Sequence, residues 1–270
     1  EQSSKGGLFG FVLEKELTEQ LQGLSQQHNA TMFMTMLAAF KILLFKYSDQ
    51  TDICIGSPIA GRQQQEVEAL VGFFVNTLAL RTDLSGNPSF TALLEKVKET
   101  TLEAYENQEV PFEKVVEAVV KDRDLKLSPL FQILFVWQNN RDLQKMLLGD
   151  LSLHQEPFSN NTAIYDITFS IRETIEGLQV NVEYCSDLFK EESIKVFLDH
   201  YKQLLISIVT KPHIGIGELS ILSGEEENLI IKEFNNTKIL RHFRFADHFS
   251  YTEQEQKKIL KYLTYQTINL

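Results

Sequence analysis

Apolar residues run almost unbroken from Val71 to Arg81, Val-Gly-Phe-Phe-Val-Asn-Thr-Leu-Ala-Leu-Arg, with an amide and a hydroxyl set into the middle. Val, Phe, Leu and Thr suit a pleated surface, and so apolar a run predicts a strand covered on both faces. Asn76 would then be buried, with its donors and acceptors met by the sheet's own backbone or by a polar ligand in an apolar tunnel. From this segment alone a satisfied core Asn is the favoured reading.

The rest of the pattern alternates helix and strand. Phe9–Leu13 predicts a short strand, and Leu17, Leu21 and Leu24 recur at helical spacing between Glu14 and His28. Thr31 is placed to cap a second helix, where Met32, Met36, Ala39, Phe40, Leu43 and Leu44 leave little polar face and predict burial against the sheet. The methionines read as core filler. A turn at Ser48–Thr51 leads to a strand over Asp52–Ser57. Leu84–Pro88 is a turn with Asn87 as a candidate cap and Pro88 at the first helical position, followed by a helix to about Asn107. A further helix starts at Pro111 and runs through Val120, with Phe112 packing into the core. Leu130–Gln138 and Leu151–His154 predict strands. Ile164–Ile171 pairs with Leu178–Tyr184 across Glu176-Gly177, and Leu188–Thr210 closes the fold as an amphipathic helix with Phe197, Tyr201, Leu204, Leu205 and Ile208 inward.

Composition narrows the functional classes. The 270 residues are 43% hydrophobic and 23% charged, enough for a sizeable core. The net charge of −11 argues against a nucleic-acid partner. No apolar run approaches the ~20 residues that span a bilayer. The chain starts Glu1-Gln2-Ser3-Ser4-Lys5, without an initiating Met or a signal-peptide pattern, which reads as an internal start. Cys54 and Cys185 lie in apolar runs and behave as small hydrophobes, which points to a reducing cytoplasm. Charge shifts near the end: residues 239–270 carry five Lys or Arg against three acids, while residues 1–238 carry 21 against 34.

Four segments stand in order: Ile55-Gly56-Ser57-Pro58-Ile59-Ala60-Gly61-Arg62, the Val71 stretch, Asn107-Gln108-Glu109-Val110-Pro111-Phe112-Glu113-Lys114-Val115-Val116-Glu117, and Ser128-Pro129-Leu130-Phe131-Gln132-Ile133-Leu134-Phe135. From Gly6 to Thr237 the chain resembles the second half of the condensation domains of nonribosomal peptide synthetases. The resemblance implies an α+β fold, an α/β sandwich shaped as a chloramphenicol-acetyltransferase-like lobe with a mixed β-sheet flanked by helices. It implies residues 1–218 as the C-terminal lobe, 219–238 as the linker towards an adenylation domain, and 239–270 as an unassigned tail. The implied activity is amide-bond formation between aminoacyl or peptidyl groups on the phosphopantetheine arms of partner carrier domains. No cofactor is implied on this chain itself. The implied partners are the N-terminal condensation lobe, peptidyl carrier domains and an adjacent adenylation domain, with neither nucleic acid nor membrane.

Ser57, Pro58, Gly61, Arg62, Phe74, Asn76, Thr77 and Asp166 are the positions that the resemblance places at the substrate channel or lobe contact. Arg62, a planar and permanent charge, must be paired, hold an anion, or bond nearby backbone carbonyls to shape its loop. Asp166, an acid in an apolar strand, needs a partner, and Arg62 is one candidate. The Gly-Ser-Pro-Ile-Ala-Gly-Arg loop is no nucleotide site, since Gln63-Gln64-Gln65 follows instead of Lys-Ser or Lys-Thr. The family's catalytic motif, His-His followed by three residues and Asp-Gly, is absent, because no two histidines are adjacent. Where family members often carry His, this chain has Asn107.

His28, His154, His200 and His213 have no nucleophile in recognisable spacing. His242 and His248 flank Asp247 without a second ligand pair, so neither a catalytic residue nor a metal site is assigned. Without the first lobe, the Val71 stretch and the Ile164 strand should leave an exposed apolar surface. The alternatives are a noncatalytic module that binds carrier or partner domains, and an epimerising or heterocyclising relative of the same fold.

Overall fold

The computed structural model describes residues 5–68, 70–121, 128–138, 146–148, 151–153 and 161–233. Strand β1 (Gly6–Glu14) runs directly into α1 (Lys15–Gln27), and α2 (Met32–Ser48) follows a short turn. The Thr31 hydroxyl accepts from the Met34 amide at 3.2 Å, which starts α2 where the sequence predicts. Asp49 ends it in the left-handed conformation. Next come β2 (Asp52–Ile59), the single turn α3 (Gln65–Glu68), β3 (Asn76–Asp83), α4 (Phe90–Glu106), α5 (Phe112–Val119) and β4 (Ile133–Gln138). A small hairpin of β5 (Met146–Leu148) and β6 (Leu151–Leu153) precedes β7 (Ile167–Thr174), β8 (Gly177–Cys185) and α6 (Glu191–Thr210).

Six strands form one mixed sheet in the order β1-β8-β7-β4-β2-β3. The β2/β4 and β4/β7 pairs are parallel, and the other pairs are antiparallel. Ile167, Phe169 and Ile171 of β7 face the same side as Tyr184, Val182 and Val180 of β8, and all six are buried. Helices α2 and α6 cover that side: Phe40 of α2 lies 4.4 Å from Phe169, and Tyr201 of α6 lies 4.9 Å from it, ring centre to ring centre. All five residues expected on the inner face of α6 are buried. The opposite side of β7 and β8 carries half-buried polar residues, among them Thr168, Ser170, Asn181 and Glu183. A mixed sheet with helices on its covered face is the α+β architecture expected.

Three local expectations are corrected. The run from Val71 is not one strand covered on both faces: β3 begins only at Asn76, opposite Ile59, the last residue of β2. Beyond Ile59 the chain turns away, so residues 71–75 have no strand to pair with, and Val71 and Phe73 are 104% and 91% exposed. Helix α4 is capped by Ser89, whose side chain accepts from Ala92, and not by Asn87. Asn87 takes a left-handed φ of 49° and accepts from the Gly217 amide instead. Strand β7 starts three residues later than the alternation predicts.

The chain divides into two compact units, Glu1–Ile221 and Leu222–Leu270. Of the second, the described part is α7 (Gly224–Asn228) followed by a turn of π-helix. Ser223 and Glu226 cap α7 reciprocally. The strand expected to reach His154, and the tail with His242 and His248, fall partly or wholly outside the described residues. No single helix among the described residues is long and apolar enough to cross a membrane.

Candidate functional site

The motif segments meet at the end of the sheet where β2 leaves and β3 enters. Gly61 adopts φ 64°, which disfavours any side chain, and a Cβ there would collide with the Phe74 carbonyl oxygen. This close crossing sends the chain out into the loop that returns through Phe74 to Asn76. Arg62 holds the loop's shape: its guanidinium donates to the carbonyls of Val67 and Leu70 and lies 4.3 Å from the centre of the Phe74 ring. Of the readings open from sequence, bonding nearby carbonyls is the one observed for Arg62.

Asn76 performs a parallel task for the next segment. Its amide nitrogen donates to the carbonyls of Gln108 and Val110 at 2.9 and 2.8 Å, and its oxygen accepts from the Phe112 amide at 3.1 Å. One side chain thus satisfies three backbone groups of the α4–α5 connection, including a donor at the start of α5 that the helix cannot satisfy. Asn76→Ala is expected to cost roughly 1–3 kcal/mol, read as a lower denaturant midpoint with faster amide exchange at Phe112. Unchanged exchange at that amide would show that the clamp is not needed.

The other expected positions separate. Ser57 is buried, lies opposite Leu78, and shares the covered face with Ile53 and Ile55. Its side chain therefore faces the core and not a channel. Pro58 and Thr77 pair one step further along and are half-buried. Asp166 is the clearest correction. Its amide bonds the Gln132 carbonyl, and β4 aligns Leu134 with Gly56, which puts Asp166 near the level of Cys54. Arg62 lies eight residues further on, past a stretch of strand that by itself spans roughly 16 Å. The two belong to opposite ends of the sheet, so Arg62 is not Asp166's partner.

Around the loop an apolar surface is open. Leu70, Val71, Phe73 and Val75 are exposed, and Val110 and Val119 of the neighbouring segment are exposed with them. Beside it Phe112 packs 5.4 Å from Phe131, which stacks on Tyr165 at 6.0 Å and seals the sheet above Gly56. Phe112 therefore joins a small aromatic cluster of its own. Sequence reading passed over Lys41, wholly buried in α2, whose ammonium nitrogen donates to the Leu80 carbonyl and the Thr82 hydroxyl, both at 2.7 Å. The signal was there: Lys41 is the one charge between Met32 and Phe45.

A family model described as the condensation domain matches residues 1–231. The chain belongs to the condensation domain family. It is 44% identical over 240 residues to a linear gramicidin synthase of Brevibacillus parabrevis, a match that covers 87% of this chain and 3% of that protein. This condensation domain chain thus spans a small part of the curated relatives it matches. Its fold superposes with a TM-score of 0.79 and 26% identity on a four-domain nonribosomal peptide synthetase bound to AMP and glycine, covering 84% of this chain and 18% of that one. It also superposes with a TM-score of 0.74 and 25% identity on a chain in the complex of the X-domain and OxyB from teicoplanin biosynthesis, covering 82% of this chain and 49% of the matched one. The condensation domain has the chloramphenicol-acetyltransferase-like fold, and the six-stranded mixed sheet with flanking helices agrees with it.

Proposed function

We propose that this chain is the acceptor-side, C-terminal lobe of a condensation domain that joins carrier-tethered aminoacyl and peptidyl thioesters in nonribosomal peptide synthesis. The observation that carries the reading is the loop end of the sheet, where Gly61, Arg62, Phe74 and Asn76 shape a surface whose apolar residues are open to solvent. The superposition on about half of a matched chain supports the same view. So does the lack of adjacent histidines in the sequence. The reading assigns residues 1–218 to the lobe, 219–238 to a linker towards an adenylation domain and 239–270 to a tail without assignment.

In the proposed reaction the acceptor amine attacks the donor thioester carbonyl, a C–N bond forms, the C–S bond breaks, and the carrier's thiol leaves with the proton the amine gives up. A positioned base contributes typically 10²–10⁴-fold, and a histidine of the partner lobe supplies it. This lobe contributes a wall and the Ile59–Arg62 loop, whose value is alignment of the two reactants, up to ~7–11 kcal/mol for well-oriented groups. The phosphopantetheine arms arrive on the carrier domains.

The test supplies aminoacylated donor and acceptor carriers to the chain alone, then adds a first lobe carrying the His-His motif. The expected result is no peptide product alone and turnover on complementation. Turnover by the chain alone overturns the half-enzyme reading. A second reading, a noncatalytic partner-binding module, is favoured by the likeness to the X-domain complex with OxyB. It predicts carrier or partner binding with no product after complementation.

A further inference from the structure

Two features meet at the carboxyl end of α4, and folding alone explains neither. The first is the open apolar surface: Val71 and Phe73 of the loop are exposed almost in full, with Val75 and Val110 about half exposed. The second is charge of one sign. From Glu99 to Lys121 the chain carries six Glu and two Lys, and Lys114 is held by Glu117 at 2.9 Å. Glu99, Glu103, Glu106, Glu109 and Glu113 are all exposed and have no ion-pair partner among the described residues.

The backbone brings the two features together. Leu93, Leu94, Val97 and Thr101 form the buried face of α4, so Glu99, Glu103 and Glu106 fall on its outer face with the exposed Leu102. At about 1.5 Å of rise per residue, Glu99 is roughly 10 Å from the end of the helix. There the Asn76 side chain grips the carbonyls of Gln108 and Val110, which ties the α4–α5 connection, and Glu109 within it, to the point where the loop enters β3. The acids therefore border the apolar surface on its α4 side.

For the free chain this charge pattern is unfavourable. Glu99 and Glu103 lie one turn apart and repel. Glu103 and Glu106 add negative charge to the carboxyl end of α4, where the helix dipole is already negative and the last turn holds no basic residue. Arg62, the cation of the neighbouring loop, is turned to the carbonyls of Val67 and Leu70 and to the Phe74 ring. Lysines or arginines brought by a partner would offset the repulsion, and apolar residues beside them would cover the loop. An anionic lipid surface, a nucleic acid or a second copy of this surface would meet it with the wrong sign.

We propose that the loop end docks a basic amphipathic segment of a partner protein, its apolar side seated around Phe73 and Val110 and its lysines or arginines facing Glu103, Glu106 and Glu109. The proposal rests on the reading of the loop end as a contact surface and names the chemistry of what that surface contacts.

Fluorescence anisotropy tests it with the full chain and two amphipathic helical peptides of about 18 residues, leucine on one face and either lysine or glutamate on the other. The lysine peptide is expected to bind with a Kd below ~100 μM, at least about tenfold more tightly than the glutamate peptide, and to weaken about fivefold or more between about 50 and about 500 mM salt. Because the whole chain is acidic, with a net charge of −11, the position of the lost charge is what decides. Replacing Glu103, Glu106 and Glu109 together by Gln should weaken the lysine peptide about fivefold or more, whereas Glu16→Gln, Glu192→Gln and Asp199→Asn together, on α1 and α6, should change it less than about twofold. Phe73→Ser should weaken it about as much as the first triple variant. All these positions are exposed, so the variants keep the fold. Equal binding of the two peptides overturns the proposal and leaves the condensation reading to its own complementation test. Equal loss from the two triple variants, or no binding up to ~1 mM, also overturns it. So does self-association of the chain that Phe73→Ser abolishes, which would make a second copy the occupant.

Discussion

Above neutral pH the chain is expected to grow more stable, by about 1.4 kcal/mol per pH unit from roughly pH 7.5 to 9. Lys41 is the cause. Burial lowers its ammonium from the ordinary value of 10.5 to about 7, with the charges of Cys54 and Asp52 opposing the shift. Between those two values the unfolded chain holds a proton that the folded chain has lost, so raising the pH favours the folded state. Below the folded value both states hold the proton, and the full cost of burying the charge remains. A neutral amine fits the site: its two hydrogens match the two acceptors, the Leu80 carbonyl and the Thr82 hydroxyl. Lys46, also lowered by desolvation, acts in the same direction. The Cys54 thiol and the Tyr201 phenol are raised by burial, so they subtract stability as the pH climbs past their ordinary values and close the window from above. Urea midpoints measured at steps of pH check this. Lys41→Met should remove most of the slope; a variant that keeps the wild-type slope would show that Lys41 is not its source.

Lys41 also marks what local pattern misses. The α2 run reads as apolar whether or not it contains one lysine, and only the packed sheet reveals that Lys41 reaches an acceptor pair on β3. Patterns whose cause is local were legible: the Thr31 cap, the α6 inner face and the β7–β8 alternation depend on residues a few positions apart. The Val71–Val75 segment has the composition of a strand and no partner, because β2 ends at Ile59. Composition signals an apolar surface without saying what covers it.

The loop end of the sheet was legible as a set of segments through the resemblance to condensation domains, and the structure brings Gly61, Arg62, Phe74 and Asn76 to that end. For the individual side chains the sequence leaves alternatives open, and for Arg62 and Asn76 the one observed is service to backbone groups. Asp166 was placed with Arg62 on chemistry alone, opposite charges in apolar company. Strand register, a long-range property, puts them at opposite ends. A strand's register to a parallel neighbour reached by a long connection leaves little trace in either strand's own residues.

Phe40→Ala is expected to cost about 3–5 kcal/mol, the range for emptying a buried aromatic position. Phe40 is wholly buried at the centre of an aromatic cluster that joins four elements. Its ring lies 5.6 Å from Phe135 of β4, 4.4 Å from Phe169 of β7, and 6.2 Å from both Phe197 and Tyr201 of α6. Around it the packing is rigid: Phe135 and Phe169 stack within 6° of parallel, and the Tyr201 hydroxyl is tied to the Met36 carbonyl at 2.9 Å. Neighbours locked this way collapse poorly into a hole, which argues for the upper half of the range. Phe40→Leu keeps most of the volume and should cost about 1–1.5 kcal/mol. At ~2–4 °C per kcal/mol for a domain of this size, the alanine variant should melt roughly 10 °C lower. The contrast with Asn76→Ala separates core from site, because Phe40→Ala should lower global stability while the Phe112 amide keeps its local protection relative to its neighbours. A loss below about 1 kcal/mol for Phe40→Ala would mean that the α2–sheet interface is not where this chain's stability resides.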